Sequence, residues 1–299
     1  MSVKNLATKP YFWGSLGLLF AVVAGVLWCY RLSNNPERAF WGMINQSLAT
    51  SGVTINATQN NNGTTARESV QYSFGAPNIS RTLTHLSQTG TTVTNESVGV
   101  PTGDYTRYTS IATVQKSASG KKLNFTSVLG VWATGGNDPS ARLLPQAALG
   151  TGLPLGGLAV PIGNLNPALR TKFVQQLHGD NLYQISFDKV KKATVKGRLQ
   201  YGYDVTMQPV AYANMMKRFA KNVGLHTFDS IDPAAFANQP AFSIHLTVDV
   251  RSHHLVQAQT TGATVTQTYT AYDVPVGIIV PSKTVPLTEL QKRLTTLQQ

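Results

Sequence analysis

Apolar and polar residues alternate in short runs over most of the chain after residue 68, which is typical of β-strands. The most regular run lies at 194–208, where the odd positions hold Val195, Gly197, Leu199, Tyr201, Tyr203, Val205 and Met207. Polar side chains occupy most positions between them, so this run predicts one long strand with one wet face. Its glycines favour a bulge or bend, and we therefore expect a strongly curved sheet.

Shorter runs of the same kind predict the other strands of a mainly antiparallel sheet. Between residues 69 and 132 they are VQYSF, SRTLTHL, TTVTNESVGV, YTRYTSIATVQ and KLNFTSVLGVW. A hairpin follows at 242–261, from FSIHLTVDV to LVQAQTT, and then VTQTYTAYD at 265–273. Residues 51–68 are instead rich in Asn, Thr and Gly, which predicts a loop or an irregular edge.

A few segments show helical spacing, and these are expected to cover the sheet. The clearest begins at Pro209, where Tyr212, Met215, Met216, Phe219 and Val223 form an apolar stripe that Gly224 ends. A juxtamembrane helix is predicted after Asn35, with Pro36 at its first position. Further short helices are predicted from Asn166 or Pro167 to Gln176 and, as a helix or tail, over 286–299.

Residues 11–30 form the longest apolar run, YFWGSLGLLFAVVAGVLWCY, without a charged side chain. About 20 residues at a rise of 1.5 Å match a hydrocarbon core of roughly 30 Å. Aromatic residues lie at both ends of the run, where headgroup layers favour them. We therefore predict a single transmembrane helix. The alternative is a cleaved secretory signal, but the apolar run continues past Ala24, beyond an ordinary signal core.

The single cysteine, Cys29, lies at the end of this run. A bacterial lipoprotein signal requires a small residue before its cysteine, whereas this chain has Trp28 there. Palmitoylation in a eukaryote is the remaining modification. We interpret Cys29 as an unmodified residue of the membrane helix.

The charges around the span predict its orientation. Lys4 and Lys9 precede it, and all 13 acidic residues follow it, which favours residues 1–10 in the cytoplasm. Residues 31–285 then form an extracytoplasmic β-rich domain without cysteine, which favours a bacterial envelope protein. Sequons at Asn45, Asn56, Asn62, Asn78, Asn95 and Asn124 favour a glycosylated secreted domain instead. We give the missing cysteines more weight and predict a single-pass protein of the bacterial cell membrane.

The segment 143–167 is apolar but rich in glycine and proline, so it is not expected to form a long regular element. It is either a connector that subdivides the ectodomain or a flap packed over a groove. We favour the flap, because an exposed apolar loop is costly unless it covers something.

Few residues suggest catalysis or metal binding. His245, His253 and His254 are interpreted as turn and surface histidines, and no catalytic motif is present. Basic residues cluster at 189–198 and 217–221, where a solvated face is the simplest interpretation and anionic lipid or an envelope polymer the functional alternative. No nucleic-acid-binding signature accompanies them. We therefore expect neither an enzyme, nor a cofactor, nor a nucleic-acid partner.

Two segments resemble the LolA and LppX/LprG class of envelope lipoproteins, namely GRLQYGYDVTMQPVAYANMMKRF at 197–219 and SIHLTVDVRSHHLVQAQ at 243–259. The resemblance covers about a third of the chain. It implies an open half-barrel whose concave face is covered by helices, holds acyl chains and carries lipids or lipoproteins. The chain departs from that class because it has a helical anchor in place of a lipidated cysteine, which favours a tethered binder.

The predicted function is a membrane-anchored extracytoplasmic binding protein for a lipidic or apolar ligand or an envelope partner. The predicted ligand-binding residues combine the strand and the covering helix: Tyr201, Tyr203, Tyr212, Met215, Met216 and Phe219. Flexible methionines and aromatic rings are typical linings of apolar binding sites. The alternative is a structural envelope protein whose β-domain has a filled core and no ligand. The sequence predicts no oligomeric state.

Overall fold

The computed structural model describes residues 35–61, 63–75, 77–101, 103–134, 160–224, 229, 231–261 and 265–298. Within these residues, 13 strands form one sheet that does not close on itself. The strands are β1 (Gly52–Asn61), β2 (Thr64–Ser73), β3 (Ile79–Gln88), β4 (Thr91–Val100), β5 (Gly103–Thr113), β6 (Ala133–Thr134), β7 (Tyr183–Ile185), β8 (Lys191–Val195), β9 (Arg198–Met207), β10 (Phe242–Asp249), β11 (Leu255–Thr260), β12 (Val265–Thr270) and β13 (Val285–Pro286). The α-helices are α1 (Pro36–Ser47), α2 (Pro167–Gly179), α3 (Pro209–Asn222) and α4 (Leu287–Gln298).

The spatial order of the strands is β13-β6-β5-β4-β3-β2-β1-β12-β11-β10-β9-β7, and β8 pairs with β9 beside β7. Strands β1 to β5 form a meander, and β9 to β12 form a second run of neighbours, with α3 in the connection between β9 and β10. The two runs join where β1 pairs with β12, at registers such as Thr54 with Thr270. Only β13 and β6 pair in parallel among the described strands. The mainly antiparallel sheet with helices is thus confirmed.

Helices α1, α2 and α3 pack on one face of this sheet, which we call the inner face. Their buried side chains join those of β1, β2 and β9 to β12 in one large hydrophobic cluster, the main core. Phe40 of α1 is fully buried there and meets the rings of Tyr183 and Tyr203 edge-on at 5.3 and 5.4 Å. Asn35 caps α1, because its side-chain oxygen accepts a hydrogen bond from the Arg38 backbone at 3.1 Å.

A second, smaller cluster lies at the other end of the sheet. It centres on Val128, Ala133 and Leu290, and half-buried Tyr108 and Ile111 of β5 pack against it. The cluster brings α4 and the turn-rich segment after β5 together, so a helix also lies at this edge. We call it the edge cluster.

Several predicted elements differ from the structure. Residues 51–68, predicted as a loop or an irregular edge, form β1 and the start of β2, because β12 provides β1 with a distant pairing partner. KLNFTSVLGVW, predicted as a strand, contains turns instead. There the Asn124 side chain accepts a hydrogen bond from the Thr126 backbone at 3.0 Å, and Gly130 has a φ of 74°.

The predicted long strand 194–208 is two strands joined by a tight turn. Lys196 and Gly197 both have positive φ, at 50° and 75°, so the chain reverses and β8 pairs back on β9. Positive φ at both central residues is the requirement of the common two-residue hairpin turn. The remainder, β9, keeps the predicted alternation.

Residues 11–30, where we predicted the transmembrane helix, lie outside the described residues, as does 143–159. None of the helices in the described part is both long and apolar enough to cross a membrane. After the undescribed segment the chain continues with Val160, Ile162 and Leu165, which are buried in the main core.

Candidate functional site

The two faces of the sheet follow from the register of its strands. Val53 and Ile55 of β1 lie in the main core, so they define the inner face. Their partners on β2 are Tyr72 and Val70, and each further pairing carries that face to the next strand. Side chains directly opposite one another in a ladder lie on the same face. The described side chains of β1 to β5 that take part in these pairings can therefore be assigned to the inner or the outer face.

All six predicted ligand-binding residues lie together in the main core. Tyr201, Tyr203 and Met215 are 0% exposed, Tyr212 and Phe219 1%, and Met216 2%. Tyr203 donates a hydrogen bond from its hydroxyl to the Pro36 carbonyl at 2.8 Å, and burial raises its pKa. In this structure these side chains pack against protein, and their contact with a ligand stays a prediction.

The inner face is less covered between the main core and the edge cluster. Neither cluster, as described, contains an inner-face residue of β3 or β4. Leu86 of β3 is 39% exposed, whereas Leu246 on the inner face of β10 is 1% exposed. We call this region the open inner surface and define it by six residues that are half-buried or, for Leu86, exposed. They are Ala66, Glu68, Thr84, Leu86, Val93 and Asn95.

The open inner surface has an apolar row and a polar row. Cross-strand pairing places Ala66, Leu86, Val93 and then Ile111 of β5 side by side. With strands about 4.8 Å apart, this apolar row runs roughly 14 Å across the sheet. The next row holds Glu68, Thr84 and Asn95, ending at Tyr108. The surface thus offers an apolar track beside hydroxyl, amide and carboxyl groups.

Glu68 is the charged member of the polar row. Its neighbours in the ladder are Ala57 and Thr84, neither of which is charged. Burial raises the pKa of its carboxyl, and no hydrogen bond or ion pair reaches that carboxyl from the described residues. Tyr72 lies further along the same strand, and its pKa is raised by its own burial and by the Glu68 charge. Ionisation of Glu68 is therefore less favourable than in water, and a cationic partner would favour it.

The outer face of the same strands holds a carboxylate in the opposite situation. Glu96 of β4 accepts hydrogen bonds from Arg81 at 2.7 Å and from Arg107 at 2.6 and 2.9 Å. Burial acts against ionisation of Glu96, but these hydrogen bonds and charges lower its pKa overall. Arg107 also stacks over Trp132, 4.5 Å from the ring centre. Because the charge of Glu96 is compensated by arginines of the same sheet, we interpret this arrangement as structural.

The predicted basic residues do not form one free patch. Arg198 pairs with Asp249 at 2.7 Å, and Arg218 pairs with Asp180. Lys217 donates to the Ile231 carbonyl at 3.0 Å, and Lys192 lies over the Tyr201 ring at 5.5 Å. These contacts hold the basic groups to different parts of the structure.

The three singled-out histidines have separate environments. His245 hydrogen-bonds Asp204 at 2.7 Å, and the His253 ring packs against Gly42. His254 stacks on Tyr272 with ring centres 4.0 Å apart, and burial lowers its pKa. Across the described ranges no group of three or more His, Cys, Asp or Glu side chains is arranged to hold a metal ion.

A pocket of about 300 Å³ lies elsewhere, between the end of α2 and the start of α3. Val210 and Ala211 form the apolar part of its wall, and the polar part consists of Asp180, Asn181, Gln184, Gln208 and Asn214. Asp180 is already paired with Arg218, so the remaining polar groups of the wall are carboxamides. It contains no arrangement of acid, base and nucleophile.

Comparison with known proteins gives no family assignment. No protein-family model and no curated protein matches the chain. Functional inference therefore depends on the geometry described above.

The sequence interpretation did not identify the open inner surface. Its signal was present in TTARESVQY, where Ala66, Glu68, Val70 and Tyr72 occupy alternate positions. A glutamate among apolar residues on one strand face is a sign of a special site. The Asn- and Thr-rich segment before it concealed the alternation, so the predicted strand began at residue 69, after Glu68.

Proposed function

We propose that the chain is a membrane-anchored, extracytoplasmic, non-enzymatic binding protein for a lipidic or apolar ligand. The observation that carries this proposal is the open inner surface, an apolar row about 14 Å long between two packed clusters. Apolar surface that remains accessible on the helix-covered face of a sheet favours a binding role. Leu86, at 39% exposed, is its most accessible apolar side chain.

The anchor and the curvature of the sheet belong to the same proposal. Residues 11–30 are apolar throughout and would hold the domain at the outer surface of a bacterial membrane. Irregular registers occur between Thr94 and Asn95 and between Thr247 and Val248. Such irregularities bend and twist a sheet, which supports an open half-barrel.

Lipid occupancy tests the proposed site. The full chain, extracted in mild detergent, is analysed by native mass spectrometry as wild type, Leu86→Gln and Leu83→Gln. Leu83 is the matched control, since it lies on the same strand, is 42% exposed and occupies the outer face. We expect bound lipid in the wild type and in L83Q, with at least a fivefold lower occupancy in L86Q.

Equal lipid occupancy in all three proteins would show that the ligand binds outside the open inner surface. The predicted residues of the main core, such as Met215 and Met216, would then be the next positions to substitute.

A second candidate function is structural, and the burial of the six predicted residues at 0–2% exposure favours it. A filled main core needs no ligand for its stability. Wild-type protein that is free of lipid and does not bind added lipid would support this scaffold role.

Protease treatment of spheroplasts tests the anchor. We expect loss of the ectodomain with a small membrane-embedded fragment remaining, and an intact mass without acyl groups on Cys29. A mature chain that begins near Gly25 would show a cleaved signal, and protection of the ectodomain would reverse the orientation.

A further inference from the structure

Charged side chains of β1 to β5 are segregated between the two faces of the sheet. The outer face holds all the basic residues of these strands and one acid: Arg67, Arg81, His85, Arg107 and Glu96. The inner face holds Glu68 and Asp104 and no basic residue. The chain as a whole carries a formal charge of +12, so an acidic inner face runs against its composition.

Glu68 is the acid that lies on the open inner surface. Asp104 has an interaction of its own, at the end of β5 next to Gly99. Glu68 instead lies between uncharged ladder neighbours, and the basic groups of the adjacent positions, such as Arg67, are on the opposite face. A half-buried carboxyl in this position has lost water without gaining a cation from the part of the chain that the structure describes, which is costly.

The apolar row lies one step along the strands from Glu68. Ala66 precedes Glu68 by two residues, and Leu86 stands opposite Ala66 just as Thr84 stands opposite Glu68. Two residues of a strand span roughly 6.7 Å. A molecule with its chain along Leu86, Val93 and Ile111 therefore has its head group within reach of the Glu68 carboxyl.

We infer that the open inner surface selects an amphiphile with a protonated amine, which pairs with Glu68 while its hydrocarbon chain lies along the apolar row. This inference rests on the proposed function and adds the head-group chemistry. The ammonium group replaces the water that burial removed from Glu68, and Thr84 and Asn95 accept further hydrogen bonds from it. A carboxylate or phosphate head without an amine is disfavoured by the same charge.

The overall charge of the chain makes this selection easy to distinguish from general attraction. A protein of net charge +12 repels cations, and charges more than about 8 Å away are screened at physiological ionic strength. Preference for an amine must therefore come from a local carboxylate.

The test measures binding of octylamine, octanol and octanoate to the full chain in amphipol at pH 7 by equilibrium dialysis. Octylamine is protonated at this pH, because an alkyl amine has a pKa near 10.4. Empty amphipol corrects for partitioning. We expect octylamine to bind at least tenfold more tightly than octanol, and octanoate to bind least.

Two charge-matched variants assign the effect. Glu68→Gln and Glu289→Gln change the net charge equally, and Glu289 lies on α4 in a pair with Arg293. We expect E68Q to lose at least tenfold in octylamine affinity with octanol affinity unchanged, and E289Q to behave as wild type. Thr84→Lys gives an independent check, since its ammonium group opposite Glu68 should exclude octylamine.

The outcomes separate this inference from the proposed function. Equal binding of octylamine and octanol, with both weakened by Leu86→Gln, would overturn the amine inference and retain the apolar site. An octylamine affinity that E68Q and T84K leave unchanged would also overturn it. If none of the three probes binds to either the wild type or Leu86→Gln, the amine inference and the proposed function are both overturned.

Discussion

The inner face of the sheet has two halves that are built from the same kind of strand and have different surroundings. Over β9 to β12, helices α1 to α3 bury the inner-face side chains, and Tyr203, Val205 and Leu246 are at most 1% exposed. Over β3 and β4 most of the corresponding side chains remain half-buried or exposed, with Leu86 at 39%, whereas Ser80 opposite Tyr72 is buried. The difference lies in what packs on the strands, since alternation occurs in both halves.

This comparison indicates that the two halves of the inner face have different roles. The covered half contains most of the buried apolar area, so it stabilises the fold. The open half contributes less to stability, and it can carry a carboxyl such as that of Glu68, which has no ion-pair partner among the described residues. Sites that bind ligands are often less stable than the scaffold that holds them.

The largest expected contrast is between two leucine truncations on the inner face. Leu246→Ala should lower the free energy of unfolding by about 3 kcal/mol, because it leaves a cavity in a closed core. Leu86→Ala should cost about 1 kcal/mol or less, since its side chain is already in part accessible. Urea unfolding of the full chain, followed by circular dichroism, measures both. Similar losses at the two positions would show that Leu86 is covered.

The next effect separates the two carboxylates of β2 and β4, Glu68 on the inner face and Glu96 on the outer face. Glu96→Gln should cost about 2 kcal/mol at pH 7, because two arginines lose a charged hydrogen-bond partner. The folded-state pKa of Glu96 is lowered, so its stabilisation is present above the unfolded pKa and is lost as the pH falls through the folded one. Thermal unfolding from pH 7 to pH 3 should therefore show wild type converging on E96Q.

Glu289→Gln is the control for this experiment. Its pair with Arg293 joins residues one helical turn apart on an accessible helix face, and it should change stability by about 0.5 kcal/mol or less. A constant gap between wild type and E96Q at all pH values would contradict the assigned role of the charge.

A pair of glycine substitutions compares packing in the main core with packing at the start of β5. A Cβ added at Gly163 would lie 2.9 Å from the Phe219 ring in the main core, so Gly163→Ala should cost about 1–2 kcal/mol. A Cβ at Gly103, at the start of β5, would meet no atom of the described residues within 4 Å apart from its chain neighbours. Gly103→Ala should be neutral or stabilising by about 0.5 kcal/mol. Thermal denaturation distinguishes the two variants, and an unstable G103A would indicate unrecognised packing over β5.

The smallest effect has the opposite sign. Glu68→Gln should raise the free energy of unfolding by up to about 1 kcal/mol at pH 7, because it removes a poorly solvated charge. The folded-state pKa of Glu68 is raised, so its penalty is absent below the unfolded pKa, increases as the pH rises between the unfolded and the folded pKa, and is complete above the folded one. E68Q and wild type should therefore be equally stable near pH 3. A destabilised E68Q at pH 7 would mean that Glu68 has a partner in the folded chain.

The sequence alone predicted those elements whose pattern is local. Pro209 and Gly224 mark the ends of α3, and alternation identifies β9, β10 and β11 because side chains of a strand point to opposite faces in turn. The mainly antiparallel class follows from the same runs. The sequence predicted less of the candidate site. An apolar stripe such as that of α3 has the same residue pattern whether it covers a ligand or closes a core.

Only the tertiary structure decided which inner-face positions are covered. Strand β1 is formed by pairing with β12, more than 200 residues away, as in the hydrogen bond from the Thr270 hydroxyl to the Thr54 carbonyl. The same long-range pairing sets Glu68 in line with Ala57 and Gln267, while the helices cover other strands. Periodicity determines which residues share a face. Coverage depends on contacts between distant segments, which no local pattern encodes.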